Sequence, residues 1–214
     1  MCSIRAVRVA LSALFAEIGS LACLGLAISG CGRTASLPPE DPSRLSIQLS
    51  SAAFADGGTI PKEYTCDGSD GSPPLAWSGV PQSARTLTLI CDDPDAPGGT
   101  WSHWVLFDLP AHVKALKEAV PPSETVPDAS IERSQASSAD SPQPRQGKND
   151  FGKIGYGGPC PPSGTHRYIF RLYALDTRLG FGSTASRADV LGAIKGHILA
   201  EGRLSAKYQR GAKD

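Results

Sequence analysis

The sequence has no surplus of charge: 21 basic residues stand against 21 acidic ones in 214. Without a basic excess it lacks the electrostatic footprint of a nucleic-acid binder. It has no CxxC pair and no Cys/His spacing of the kind that holds structural zinc. No serine sits in a GxSxG turn, the elbow that exposes a hydrolase nucleophile. Nor is there an apolar run that spans a bilayer comfortably, which takes about 20 residues. What remains is a domain whose chemistry has to come from local clusters of side chains.

The first cluster is an address. Arg5 and Arg8 give residues 1–30 a basic start; Glu17 interrupts the apolar stretch, which is then uncharged from Ile18 to Gly32. Small residues, Ser29 and Gly30, lead to Cys31. A basic start, a short apolar stretch and a small-residue exit describe a secretory signal peptide. The run 28-ISGC-31 resembles a bacterial lipobox, with Ile28 where Leu is more usual, and makes Cys31 the expected lipidated first residue of the mature chain. The alternatives are plain cleavage, an incidental cysteine or a retained membrane helix. Diacylation anchors a domain firmly, because two chains hold a membrane far better than one. The expectation is an exported cell-envelope lipoprotein on the periplasmic face of a bacterial membrane. Residues 31–44, including the polar TASLPPEDPSR, then form a tether, and 45–210 form the domain. Without Arg5, Arg8 and Glu17 the chain keeps 19 basic and 20 acidic residues, still near neutrality.

Export decides how the cysteines read. Cys2 and Cys23 leave with the leader and Cys31 takes lipid, so Cys66, Cys91 and Cys160 meet an oxidising compartment, where one disulfide and one spare thiol are natural. Cys66 and Cys160 lie in Gly/Pro-rich loops and Cys91 ends an apolar strand. Cys66–Cys160 is the preferred pair; three unpaired thiols are the alternative.

Several stretches read as strands. 45-LSIQLS-50 and 86-TLTLIC-91 alternate apolar and polar residues, the period of a half-buried strand. 104-WVLFDL-109 is nearly continuous apolar sequence, and 167-RYIFRLYAL-175 is rich in strand-forming residues. Turn signals at Asp56-Gly57-Gly58, Asp67-Gly68, Pro73-Pro74, 94–99 and 157–164 separate them. Short strands between such turns predict an antiparallel β-sandwich. Residues 186–208 predict a helix, with apolar residues at Val190, Leu191, Ile194, Ile198, Leu199 and Leu204 on one face. Ser186 and Asp189 resemble a capping box, and Gly202 offers a break. Residues 120–149 are polar, Ser- and Pro-rich, and predict an exposed flexible insertion.

Two segments gather residues with binding chemistry. In 92-DDPDAPGGTWSHW-104, aspartates interleave with prolines in a rigid turn, and His103 follows between Trp101 and Trp104. A histidine beside an aspartate binds phosphate as the imidazolium while the carboxylate holds its other nitrogen. The bland alternative is a turn whose aspartates cap amides, with His103 packed in the core. In 152-GKIGYGGPCPPSGTHRYIF-170, a Gly/Pro loop that suits an anion runs into a strand. Alternation there sends His166 and Tyr168 to one face and Arg167 to the other, where a carboxylate partner is expected.

DDPDAP, W-x-H-W and GPCPPSGTHRYIFRLYALD resemble the signature regions of the phosphatidylethanolamine-binding protein family, above all its bacterial Raf-kinase-inhibitor-like (YbhB/YbcL-type) branch. The flanking 60-IPKEYTCDGSDGSPPLAWSGVP-81, 147-GKNDFG-152 and 195-KGHILAEGRLSAKYQR-210 fit the same branch, so the likeness runs from about Leu45 to Arg210. It implies a mainly-β, Greek-key antiparallel β-sandwich with a C-terminal helix and a ligand cup at one end. Carried over by position, the cup contains Asp93, Asp95, Trp101, His103, Gly158, Pro161, Pro162, His166 and Tyr168. The ligands implied are small anions, phosphate or a phospholipid head group. Cys160 stands where animal members have glycine, and no counterpart follows Tyr208 for the helix that partly covers their cup.

The expected function is binding. Ser102 neighbours His103 on a strand, so the two side chains point to opposite faces, the wrong arrangement for a nucleophile and its base. His103, His166 and Asp93 form a conceivable metal set, but their spacing requires no metal or other cofactor. The resemblance also suggests a rival role, as an inhibitor of a protease or kinase. The sequence names no protein partner and leaves a homodimer open.

Overall fold

The computed structural model describes residues 36–38, 41, 43, 46–134 and 141–211. The expected leader, Cys31 and most of the expected tether lie outside them. Among the described residues, nine strands form two antiparallel sheets. The smaller sheet has the order β1 (Gln48–Ser50), β2 (Leu75–Ser78), β5 (Val113–Leu116), β6 (Ile131–Arg133). The larger has the order β7 (Arg145–Gln146), β4 (Trp101–Pro110), β3 (Thr86–Asp93), β8 (Thr165–Leu175), β9 (Ile198–Gln209).

Alternation along the larger sheet fills two separate cores. Leu87, Leu89, Cys91, Trp104, Leu106, Phe170 and Leu172 face the smaller sheet and pack with its Leu75, Trp77 and Leu116. Ile90, Val105, Phe107 and Tyr173 point the other way and are covered by a short helix, α1 (Arg187–Ala193), through Val190, Leu191 and Ile194. Because both faces are covered, all eight residues of β3 are buried, where its sequence alternation predicts one wet face. Each large apolar side chain so buried contributes about 1.5–3 kcal/mol.

Two sequence expectations need correction. Of residues 186–208 only Arg187–Ala193 is helical, opened by the expected capping box between Ser186 and Asp189. The chain then turns at Gly196, whose φ of +83° lies in the left-handed region, and Ile198–Gln209 runs as a strand along β8. The buried residues of β9 are Ile198, Ala200, Gly202, Leu204, Ala206 and Tyr208, a period of two, with Glu201 buried besides. Two of them are alanines, weak hydrophobic signals, and Ile198 and Leu204 fit a helical face equally well. The second correction is the segment 120–149, which is not simply an exposed loop. Val120, Val126, Ile131 and Gln146 are buried, and the segment supplies the edge strands β6 and β7. A few well-spaced apolar residues outweigh the polar average.

Candidate functional site

Three strand ends meet at one pole of the larger sheet: the end of β3 at Asp93, the start of β4 at Trp101 and the start of β8 at Thr165. Between them lies a cavity of about 260 Å³. Its walls include Asp93, His103, His166 and Tyr168; Trp101, Phe151, Cys160, Pro161 and Pro162 also line it.

A register shift explains how His103 reaches it. Cys91 pairs with Trp104 but Asp92 with Ser102, so His103 is the extra residue of a β-bulge. Strict alternation would put His103 and Trp104 on opposite faces. Instead His103 stacks edge-on against Tyr168 at 5.1 Å while Trp104 stays in the core on that same side. Re-aiming a side chain beside a site is a common use of a bulge. The Ser102 hydroxyl is buried without a hydrogen-bond partner and does not line the cavity.

The two imidazoles are held differently from the sequence expectation, which set His103 against an aspartate of the turn before it. Asp93 pairs with His166: Nδ1 lies 2.7 Å from Oδ2, and both residues are buried. Oδ1 of Asp93 accepts the Asp95 N–H at 2.8 Å, which fixes the carboxylate at the turn. His103 instead donates from Nδ1 to the carbonyl of Gly157 at 2.6 Å. A carbonyl only accepts, so the neutral ring carries its proton on Nδ1 and turns a lone pair at Nε2 to a ligand. Burial pushes the His103 pKa below its usual value, opposed by the Gly157 carbonyl and by the charges of Asp93, Asp150 and Asp70.

The Tyr168 phenol is buried and its hydroxyl has no hydrogen-bond partner. Burial, with the nearby Asp93 charge, holds its pKa far above the usual range; the two groups sit close without a hydrogen bond of proper geometry. An orphaned buried hydroxyl costs about 1–3 kcal/mol unless a hydrogen-bonding group stands beside it.

Two residues placed in the cup by resemblance lie outside its lining. Asp95 forms a two-pronged ion pair with Arg167, at 2.8 and 2.6 Å, and also accepts the Arg167 N–H at 2.9 Å. That pairing holds the Asp95 pKa down to about 2. It is the carboxylate partner expected for Arg167, supplied from the cup's own turn. Gly158 is needed for a close approach: a Cβ there would sit 2.7 Å from the Tyr64 carbonyl oxygen. The sequence reading missed Phe151. It is 41% exposed and meets Trp101, 38% exposed, edge-on at 5.5 Å, so the large exposed apolar side chains among the described residues stand together at the cavity mouth. An aromatic in the polar, Gly-flanked run 147-GKNDFG-152 was the available signal.

Cys66 and Cys160 are joined by a disulfide with Cα atoms 5.4 Å apart, and Cys91 is a buried free thiol. The bridge ties the loop after residue 62 to the cavity's Pro-rich rim. No cluster of three or more metal-ligating side chains occurs among the described residues, and none of their helices is long and apolar enough to cross a membrane.

Comparison with known proteins agrees with this architecture. The sequence profile of the phosphatidylethanolamine-binding protein family matches residues 50–209. A UPF0098 protein of Methanothermobacter thermautotrophicus is 51% identical over 165 residues, covering 77% of this chain and 100% of the relative. The crystal structure of CT736, a phosphatidylethanolamine-binding protein homologue from Chlamydia trachomatis, superposes with a TM-score of 0.65 at 37% identity, over 78% of this chain and 99% of that one. Escherichia coli YbcL, a member of the mammalian PEBP family, gives 0.66 at 30% identity over the same shares, 78% and 99%. With the profile spanning most of the chain and the two-sheet fold shared by solved relatives, this chain belongs to the phosphatidylethanolamine-binding protein family.

Proposed function

We propose that the cup holds a small anion, a phosphate or a phospholipid head group, and does so without converting it. The observation that carries this reading is the orphaned Tyr168 hydroxyl in a cavity where both histidines have committed Nδ1 to the protein. Three polar groups, two Nε2 atoms and one O–H, therefore remain for a ligand. Neutral rings offer lone pairs, which repel an anion's oxygens; protonated rings offer N–H donors. Anion binding is thus coupled to proton uptake. A cavity of about 260 Å³ lies below the roughly 300–1,000 Å³ typical of drug-sized ligands, which favours a head group over a whole lipid. The aromatic mouth of Trp101 and Phe151 suits the apolar part of such a molecule.

Holding is favoured over hydrolysis because no nucleophile among the described residues is poised at the rings. Cys160 is consumed by the disulfide, Cys91 is buried in the core, and the Ser102 hydroxyl is off the cavity. The disulfide also supports an extracytoplasmic setting. The proposed anchor at Cys31 lies outside the described residues and is tested by Cys31→Ser, which should move the protein from the membrane fraction to the soluble one. Calorimetric titration with inorganic phosphate, glycerophosphoethanolamine and a neutral sugar tests the ligand class. Binding of both phosphates but not the sugar supports the reading; no heat from either phosphate between about pH 5.5 and 8 removes it.

A further inference from the structure

The peptide unit between Gly157 and Gly158 is gripped at both ends. Its carbonyl accepts His103 Nδ1–H at 2.6 Å, and its N–H donates to Asp70 Oδ1 at 2.6 Å. We propose that Asp70 is a positioning residue for His103, acting through this single peptide and setting both the tautomer and the charge that the ring offers to the ligand. The inference rests on reading the cup as an anion site.

Each link has a physical cause. A carboxylate on the N–H side polarises an amide and makes its carbonyl a stronger acceptor, as in any chain of hydrogen bonds. The stronger acceptor keeps the imidazole proton on Nδ1. The contact is available only because residue 158 is glycine: a Cβ there would stand 2.5 Å from Asp70 Oδ1. Asp70 reaches it from a left-handed backbone position, φ 59°, which aspartate and asparagine tolerate better than most residues. Its loop is pinned in place three times over. Cys66 is bonded to Cys160, the Cys66 N–H donates to the Pro159 carbonyl at 3.2 Å, and the Tyr156 hydroxyl donates to the Tyr64 carbonyl at 2.8 Å. The Gly157 N–H, in the preceding peptide unit, donates to the backbone carbonyl of His103 at 2.9 Å and holds residue 157 against β4.

The titratable groups around His103 are Asp93 at the end of β3, Asp150 in the turn after β7, Asp70 and, in the same cavity, His166; the rings of Tyr168 and Phe151 stand against it. The Asp70 charge favours the protonated ring and opposes burial. Asp70 is exposed at the surface, so solvent screens the effect. Both cup histidines thereby have a carboxylate behind Nδ1: Asp93 directly for His166, and Asp70 across one peptide for His103.

The test compares the unliganded full chain, Asp70→Asn and Asp70→Ala by nitrogen NMR of the imidazoles across a pH series. Asparagine keeps an acceptor and tolerates the backbone, but removes the charge. The expected result is a lower titration midpoint for His103 in Asp70→Asn with the Nδ1–H tautomer kept, mixed tautomers in Asp70→Ala, and no change at His166. Equal behaviour of His103 in all three proteins overturns the proposal, as does a His166 shift as large as that of His103. If Asp70→Ala does not fold, the Asn variant alone decides. A second arm measures sulfate affinity at about pH 5.5, expected to fall about two- to fivefold in Asp70→Asn. If the wild type binds neither sulfate nor phosphate, the anion reading fails while the NMR arm still judges Asp70.

Discussion

His166 stands on β8 with Nδ1 2.7 Å from a carboxylate, whereas His103 stands on a bulge of β4 with Nδ1 2.6 Å from a peptide carbonyl. The first wall is a pair of side chains on neighbouring strands. The second is assembled from backbone, a glycine-dependent loop contact and a disulfide-tied strap. A ring held by a neutral carbonyl gains no full charge from its immediate partner, and burial then makes its protonation harder. On the proposed reading of the cup as an anion site, a bound anion supplies the charge that stabilises a proton on the His103 ring.

The comparison breaks most visibly at Asp93. Asp93→Ala leaves a buried imidazole without its carboxylate and the Asp95 N–H without an acceptor; removing one member of a buried pair costs about 3–5 kcal/mol. Urea unfolding should show a loss of that size together with loss of phosphate binding. The bridge comes next. Replacing Cys66 and Cys160 by serine opens a link across 94 residues and should cost about 2–4 kcal/mol by the same measurement. Its effect on the cup should fall on the His103 wall, because the bridge ties the loop that carries Asp70 to that rim.

Smaller effects sharpen the difference. Tyr168→Phe removes a hydroxyl that has no partner, so the unliganded protein should hold or gain about 1 kcal/mol while phosphate affinity drops about tenfold. Stability loss with unchanged affinity would show that the hydroxyl serves the fold. The pH dependence of stability has a definite sign. The His103 pKa in the folded protein lies below the ordinary 6.5, so as pH falls the unfolded chain takes up the proton first. Its contribution is full above that ordinary value and is lost as the pH falls from there through the lower pKa of the folded state. Thermal melts with sulfate should recover more stability in acid than in base; sulfate does not titrate there, so any change in its effect belongs to the protein.

Much of this molecule was legible in its residues. The central strands β3, β4 and β8 announce themselves by composition, and the capping box at Ser186 marks the start of α1. The strand β9 does not, because its inward alanines carry little hydrophobic signal and its remaining apolar residues also fit a helix. The cup's membership came from motif likeness, and most of those residues do line one cavity. Its wiring did not. The Asp93–His166 pair joins residues 73 apart, and His103 depends on a one-residue bulge that no local pattern encodes. Asp95 looked like a cup residue from its neighbours in the DPDAP run, yet the Arg167 fork holds it outside the cavity. Gly158 belongs to the site for what it permits, the approach of Asp70, and a sequence shows only that it is glycine.

The most direct test of the account is titration of sulfate into the wild type and His103→Ala at about pH 5.5 and about pH 8. Wild-type affinity is expected to be about tenfold higher in acid, as for about one unit of linked protonation, with weak binding of smaller pH dependence in the variant. Equal affinities in all four titrations would contradict it.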